Sequence, residues 1–211
     1  MKKQIFVEKV IEWGEKNIQQ FPWRFSNKPY EVFIAEFLLK RTTRTAVNRF
    51  YEFFIKKYPN LKAIVKTDCL ELEAILKPIG LYKQKAYLLK NAAKYLEENN
   101  NYKFPNEFNE LLKIPGVGFY IAGAILSFAF GESFPLLDSN IKRVIKRVFM
   151  EDLSEVNSEN DLRLFIASII PKERHKIFNL SLIDLGSIIC TAKFFKCSVC
   201  PISEVCANRL N

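Results

Sequence analysis

The chain has 211 residues, 49% apolar and 26% charged, with nineteen Phe and two Trp, which supplies a core and excludes a disordered polymer. A formal charge of +9 suits a polyanionic partner, of which nucleic acid is the commonest. The longest apolar run, residues 119–130, is broken by Gly and Ser and too short to span a bilayer, so no membrane partner is expected.

The first segment, MKKQIFVEKVIEWGEKN, opens like a secretion signal but sets Glu8 and Glu12 where its apolar region should continue. A cytoplasmic protein is expected instead. Phe6, Val7, Val10 and Ile11 repeat at helical spacing. So do Val32, Phe33, Phe37 and Leu38, then Val47, Phe50, Phe54 and Ile55. Residues 82–98 form a long amphipathic helix, 106–112 a short one, and 141–149, 160–169 and 176–189 three more. Turns fall at 19–30, 77–82, 99–108, 113–118 and 130–140, and no strand alternation appears. The fold class is all-α. Two helical domains are expected: residues 23–131 as one bundle, and 132–211 joined by the first helix, residues 1–22, as the second. A DNA-binding cleft would then lie beside residues 113–140.

Within LLKIPGVGFYIAGAI, residues 111–125, Pro115 fixes a turn that Gly116 and Gly118 can complete at positive φ. The helix that follows begins with unpaired N–H groups and the positive end of its dipole, a ready anion site formed by Pro115, Gly116, Val117 and Gly118. A tight corner with no ligand is an equal reading from the turn alone. The preceding short helix makes the unit a helix–hairpin–helix. Beyond it stands Asp138, just before a helix whose Lys142, Arg143, Lys146 and Arg147 form one basic stripe. Capping that helix would be the plain role of Asp138 or Ser139; a carboxylate between a phosphate-binding turn and a basic stripe is also poised for chemistry.

The tail reads C-x6-C-x2-C-x5-C, at Cys190, Cys197, Cys200 and Cys206. Four thiolates so spaced make a closed site for zinc or an iron–sulfur cluster, and spacing alone does not choose. A disulfide framework is not expected in such a chain. If the site holds a 2+ cluster, the charge falls to about +7, still basic. Cys69 reads as a small buried hydrophobe, and Trp23 and Arg24 as structural. His175, the one histidine, has no ligand or triad spacing and is expected at the surface.

FPWR with KPYEVFIAEFLLKRTT, IGLYKQKA, IPGVGFYIAGAI, FPLLDSNIKRVIKR and the cysteine tail follow one another in order. Together they resemble the helix–hairpin–helix DNA glycosylase superfamily of endonuclease III and the MutY-type adenine glycosylases, over essentially the whole chain. The resemblance implies a six-helix bundle, a second helical domain with a 4Fe-4S cluster (zinc being the alternative), and a monomer acting on double-stranded DNA containing a mismatched, damaged or modified base, in association with the nucleoid. It makes Asp138 the catalytic carboxylate, steadying the positive sugar as the base departs, with Asn140 orienting it or the water. Tyr120 stands where the bifunctional lyases carry a lysine. A phenol cannot form a Schiff base, so base removal without strand cleavage is implied. Glu36 matches an acid of the adenine-specific enzymes, and burial in its apolar helix would raise its pKa and keep it protonated. Three features point away from adenine: the chain ends just after the cysteines, where those enzymes continue into another domain, KRTT replaces their usual glutamine pair, and LLKRTT with Tyr120 is most similar to the thymine-mismatch glycosylases. Leu81 is the implied wedge into the duplex, with Arg41 or Thr42 probing from the other side and Lys142 on the backbone. The expected reaction is hydrolysis of the N-glycosidic bond of thymine or uracil opposite guanine in base excision repair. Adenine or a modified pyrimidine is the alternative substrate. A non-catalytic DNA-binding module, in which Asp138 only caps a helix, is the alternative of another class.

Overall fold

The computed structural model describes residues 1–153, 156 and 158–209. The chain divides into two compact units, Met1–Gln19 with Gly131–Asn211, and Gln20–Phe130. Among the described residues there are helices and turns but no strand, only an isolated antiparallel bridge between Cys190 and Phe195. No helix among them is long and apolar enough to cross a membrane.

The unit Gln20–Phe130 is built around α2 (Pro29–Leu39). Pro29 suits its first position, where a missing N–H costs nothing. Every residue from Val32 to Leu38 is buried, so this helix is apolar on all sides and must lie inside the bundle. Around it come α3 (Arg44–Lys57), α4 (Leu61–Lys66), α5 (Cys69–Leu76), α6 (Tyr82–Asn100), α7 (Phe108–Leu112) and α8 (Phe119–Phe128). The side chains of Thr43, Asn60 and Asp68 cap α3, α4 and α5 by accepting from Ala46, Ala63 and Leu70 N–H, each cap contributing about 1 kcal/mol. Helix α8 packs on α2, and α4 and α5 pack on α6. Phe33 lies between the rings of Phe37 and Phe104, with centroids 5.5 and 5.2 Å away. Trp23 and Arg24 are buried here, as their structural role required. Cys69 is only half-buried at the start of α5, because the helix turns that position toward its capped end.

In the other unit α1 (Lys2–Asn17) packs on α11 (His175–Ile188), which also packs on α9 (Ser139–Val148); α10 (Glu159–Ala167) opens with a capping box between Ser158 and Asp161. Phe6 sits edge-on to Phe149 and Phe178 at 5.0 and 6.2 Å. His175 is buried, at 8% exposure, rather than on the surface. It begins α11, which is buried along most of its length, and its Nδ1 satisfies the Lys172 carbonyl at 2.7 Å.

Candidate functional site

The hairpin between α7 and α8 uses its two glycines differently. Gly116 has φ +81°, and a Cβ there would come within 3.0 Å of the Phe37 ring, so both the backbone and its neighbour require glycine. Gly118 instead is extended at φ −101°, ψ −177°, and a Cβ would meet nothing within 4 Å. The expectation that both supply positive φ therefore fails at 118, where the fold itself does not require glycine. Val117 is buried and donates to the Ile114 carbonyl at 3.0 Å, anchoring the turn. Gly118 caps α8 with no side chain, and Lys40 Nζ, donating to the Gly116 carbonyl at 3.2 Å, brings a positive charge to the same turn. Pro115 and Tyr120 are half-buried, Tyr120 in the first turn of α8.

Glu36 is buried in α2, at 9% exposure. The helix ends in a turn at Arg41, which is exposed with φ 54°. Leu81 caps α6 with φ 49° and is 43% exposed. Thr42 is not a free surface hydroxyl: it donates to the Ile79 carbonyl at 2.9 Å and so joins the Arg41 turn to the Leu81 loop. Lys85 Nζ donates to the Leu38 carbonyl at 2.8 Å and to Thr42 Oγ1 at 2.6 Å in the same knot. Sequence reasoning missed Lys85, although its register with Leu89, Ala92 and Leu96 on the buried face of α6 signals a lysine facing inward.

Asp138 caps α9. Its Oδ1 accepts from Ile141 N–H at 2.7 Å and its Oδ2 from Asn140 Nδ2 at 2.9 Å. The carboxylate is half-buried and fixed in direction. Asn140 in turn accepts from Arg143 Nη2 at 2.8 Å, and Arg143 Nε donates to the Cys190 carbonyl at 2.7 Å. A continuous hydrogen-bonded path thus runs from Asp138 to the first cysteine. Asn179 of α11 holds the approach to Asp138, accepting from Leu136 N–H at 3.4 Å and donating to the Phe134 carbonyl at 3.0 Å. Gly186 allows α11 to lie against this point, since a Cβ would sit 2.7 Å from that of Asn140.

The basic stripe of α9 divides. Arg143 and Arg147 turn toward the cysteine loop, where Arg147 Nη1 donates to Cys190 Sγ at 3.2 Å and to the Thr191 carbonyl at 2.8 Å. Lys142 pairs with Glu159 at 2.8 Å, and Lys146 is exposed. Cys190, Cys197, Cys200 and Cys206 line one pocket with Arg147 and Ile202. Burial first, and then the neighbouring thiols, push Cys200 up to about 11 and raise Cys206. A bound cation would reverse this by stabilising the thiolates. Zinc needs its sulfurs about 2.3 Å from one point. The four cysteines line one pocket, and an all-sulfur donor set suits zinc or a multi-iron cluster, which takes one thiolate per iron.

Residues 34–168 match the model of the HhH-GPD superfamily of base excision DNA repair proteins. The chain is 33% identical to the thymine/uracil-DNA glycosylase of Methanothermobacter thermautotrophicus, over 98% of its own length and 94% of that protein. It is 34% identical to the adenine DNA glycosylase of Buchnera aphidicola subsp. Baizongia pistaciae, over 98% of its own length and 59% of the relative. Its fold is similar to the solved structure of a thermostable thymine-DNA glycosylase, with TM-score 0.94 and 33% identity, over 99% of this chain and 96% of the other.

Proposed function

Because the chain belongs to the HhH-GPD superfamily of base excision DNA repair proteins, we propose that it is a DNA glycosylase removing thymine or uracil opposite guanine, without cutting the strand. Its place of work would be the cytoplasm, in association with the nucleoid. One observation carries the chemistry: a carboxylate, Asp138, is fixed at a helix start with one oxygen toward Asn140 and the other toward Ile141 N–H. As the C–N bond to the base breaks, its electrons leave with the base and positive charge grows on the sugar. A preorganised carboxylate lowers the energy of that state, and water then adds at C1′. Asn140 keeps the carboxylate in register. Gly116, Gly118 and the first turn of α8 offer backbone N–H groups to a phosphate, with Pro115 and Val117 holding the turn, and the open space at Gly118 leaves room for it. Leu81 and Arg41 enter the duplex where the base leaves it, Thr42 braces the turn that carries Arg41, and Lys142 adds a backbone contact.

Cys190, Cys197, Cys200 and Cys206 hold a 4Fe-4S cluster in this reading, and with no open ligand position it shapes the loop around them. Purified protein should contain iron and acid-labile sulfide; a colourless protein with one zinc per chain would overturn the cluster assignment. Adenine is the second reading, favoured by Glu36, which matches an acid of the adenine-specific enzymes and is buried in α2. A panel of duplexes bearing thymine, uracil, adenine or modified cytosine opposite each base decides between them. Abasic sites from T:G and U:G pairs are expected, with strand breaks only after hot alkali. Asp138→Asn should lower excision by about a hundredfold to a thousandfold, the scale of removing one stabilising group, while leaving DNA binding in place. Excision unchanged in that variant would remove Asp138 from catalysis, whereas no excision by the unaltered protein on any duplex would favour the DNA-binding module.

A further inference from the structure

Lys85 is 3% exposed and its partners are neutral oxygens: the carbonyls of Leu38 at 2.8 Å and Ile79 at 3.4 Å, and Thr42 Oγ1 at 2.6 Å. An ammonium has three protons to donate, and all three find acceptors. Those acceptors come from the end of α2, from the turn after it and from the 3-10 turn that precedes Leu81. Burying a cation without a carboxylate is costly, so a lysine here needs a reason beyond packing. Burial, with the charge of Lys40 second, draws its pKa down to about 8, which leaves it charged at neutral pH.

The two backbones it joins are strained. Among the described residues, non-glycine positive φ occurs only at Arg41, Leu81, Asn101 and Tyr102. The first two flank this knot, and left-handed backbone costs roughly 1–2 kcal/mol per residue. Neither side chain recovers that cost by packing, since Arg41 is exposed and Leu81 is 43% exposed. Strain held in place with side chains left outward is the mark of a site built to meet something else.

We propose that Lys85 is a positioning residue for base extrusion, tying the Arg41–Thr42 turn to the Leu81 loop so that the wedge and its neighbour enter the duplex as one rigid pair. The proposal rests on the DNA-glycosylase reading above. It also explains why Thr42, an acceptor for the ammonium and a donor to Ile79, is a brace rather than a probe.

The test uses the Asp138→Asn protein, which binds without turnover, and T:G duplexes carrying 2-aminopurine beside the thymine. Fluorescence at saturating protein reports unstacking separately from affinity. Adding Lys85→Met should cut the rise about fivefold, the size expected of coupled neighbours, while affinity changes by less than about threefold. Leu81→Ala should reduce the rise similarly, and Lys85→Met on top of it should add little. If Lys85→Met does not fold by circular dichroism, Thr42→Val, which takes one acceptor from the ammonium and the donor from the Ile79 carbonyl, carries the same expectation. A full rise in the variant, no rise in the Asp138→Asn parent, or a Lys85→Met effect undiminished beside Leu81→Ala overturns the proposal. Absence of excision by the unaltered protein on every duplex would instead bring down the enzyme reading, whatever the fluorescence shows.

Discussion

In the proposed reaction, position 120 holds a phenol where an amine would open a second step. An amine on the first turn of α8 could attack C1′ and carry the sugar as a Schiff base, from which the strand breaks by elimination. Tyr120→Lys should therefore yield strand breaks without alkali and an adduct trapped by borohydride; breaks that still require alkali would show that residue 120 does not reach the sugar. Lys85 makes a second prediction, in pH. Its folded pKa is depressed to about 8 from the ordinary 10.5, so between these values the unfolded chain binds more protons than the folded one. Stability contributed by this group then rises with pH across that window, as charging the buried amine ceases to oppose folding. Other groups titrate there too, so the quantity to measure is a difference. Urea unfolding at pH 8, 9 and 10 should show the unaltered protein gaining stability relative to Lys85→Met at each step; a constant difference would mean that the amine is not titrating there.

At the scale of elements, the hairpin sets one glycine needed by the fold beside another that the fold leaves free. Gly116→Ala forces an L-residue to φ +81° against the Phe37 ring, and should cost about 1–3 kcal/mol in thermal or urea unfolding. Gly118→Ala has extended backbone and open space, so stability should hold or rise by up to about 1 kcal/mol through the unfolded chain. Its loss should appear in DNA affinity, because the added methyl occupies the room left for a phosphate. Unchanged affinity would return the hairpin to a corner with no ligand. Helix α11 makes the converse case at Gly186, where a Cβ would lie 2.7 Å from that of Asn140 and 3.0 Å from its carbonyl oxygen. Gly186→Ala should destabilise by about 1–3 kcal/mol, and because Asn140 holds Asp138, turnover should fall further than DNA binding. Equal losses in both would mean that the contact supports only the fold.

For the whole molecule, what was legible in the sequence follows the range of the interactions concerned. Helices announced themselves through 3.6-residue spacing, and the cap at Asp138 through its place before α9, because both are settled within a turn or two of chain. The direction of the basic stripe was not legible. Lys142, Arg143, Lys146 and Arg147 share a sequence pattern, yet Arg143 and Arg147 meet the end of α11 at Gly186 and the loop after it at Cys190–Ala192, more than forty residues away. The Lys85 knot was hidden for the same reason, since Leu38 and Thr42 lie more than forty residues before it. This division changes what the +9 charge can do. Arginines bonded to carbonyls are not available to phosphates, whereas exposed Lys146 is. Binding to undamaged duplex should weaken steeply with salt: about four phosphate contacts predict roughly a hundredfold loss between about 50 and 200 mM. Lys146→Ala should reduce the slope of log affinity against log salt by roughly one and leave the iron content unchanged. Arg147→Ala removes the donor to Cys190 Sγ and Thr191, and should leave the slope nearly unchanged while iron per chain falls. Should Arg147→Ala flatten the slope as much as Lys146→Ala, both side chains face DNA and the division of the stripe is wrong.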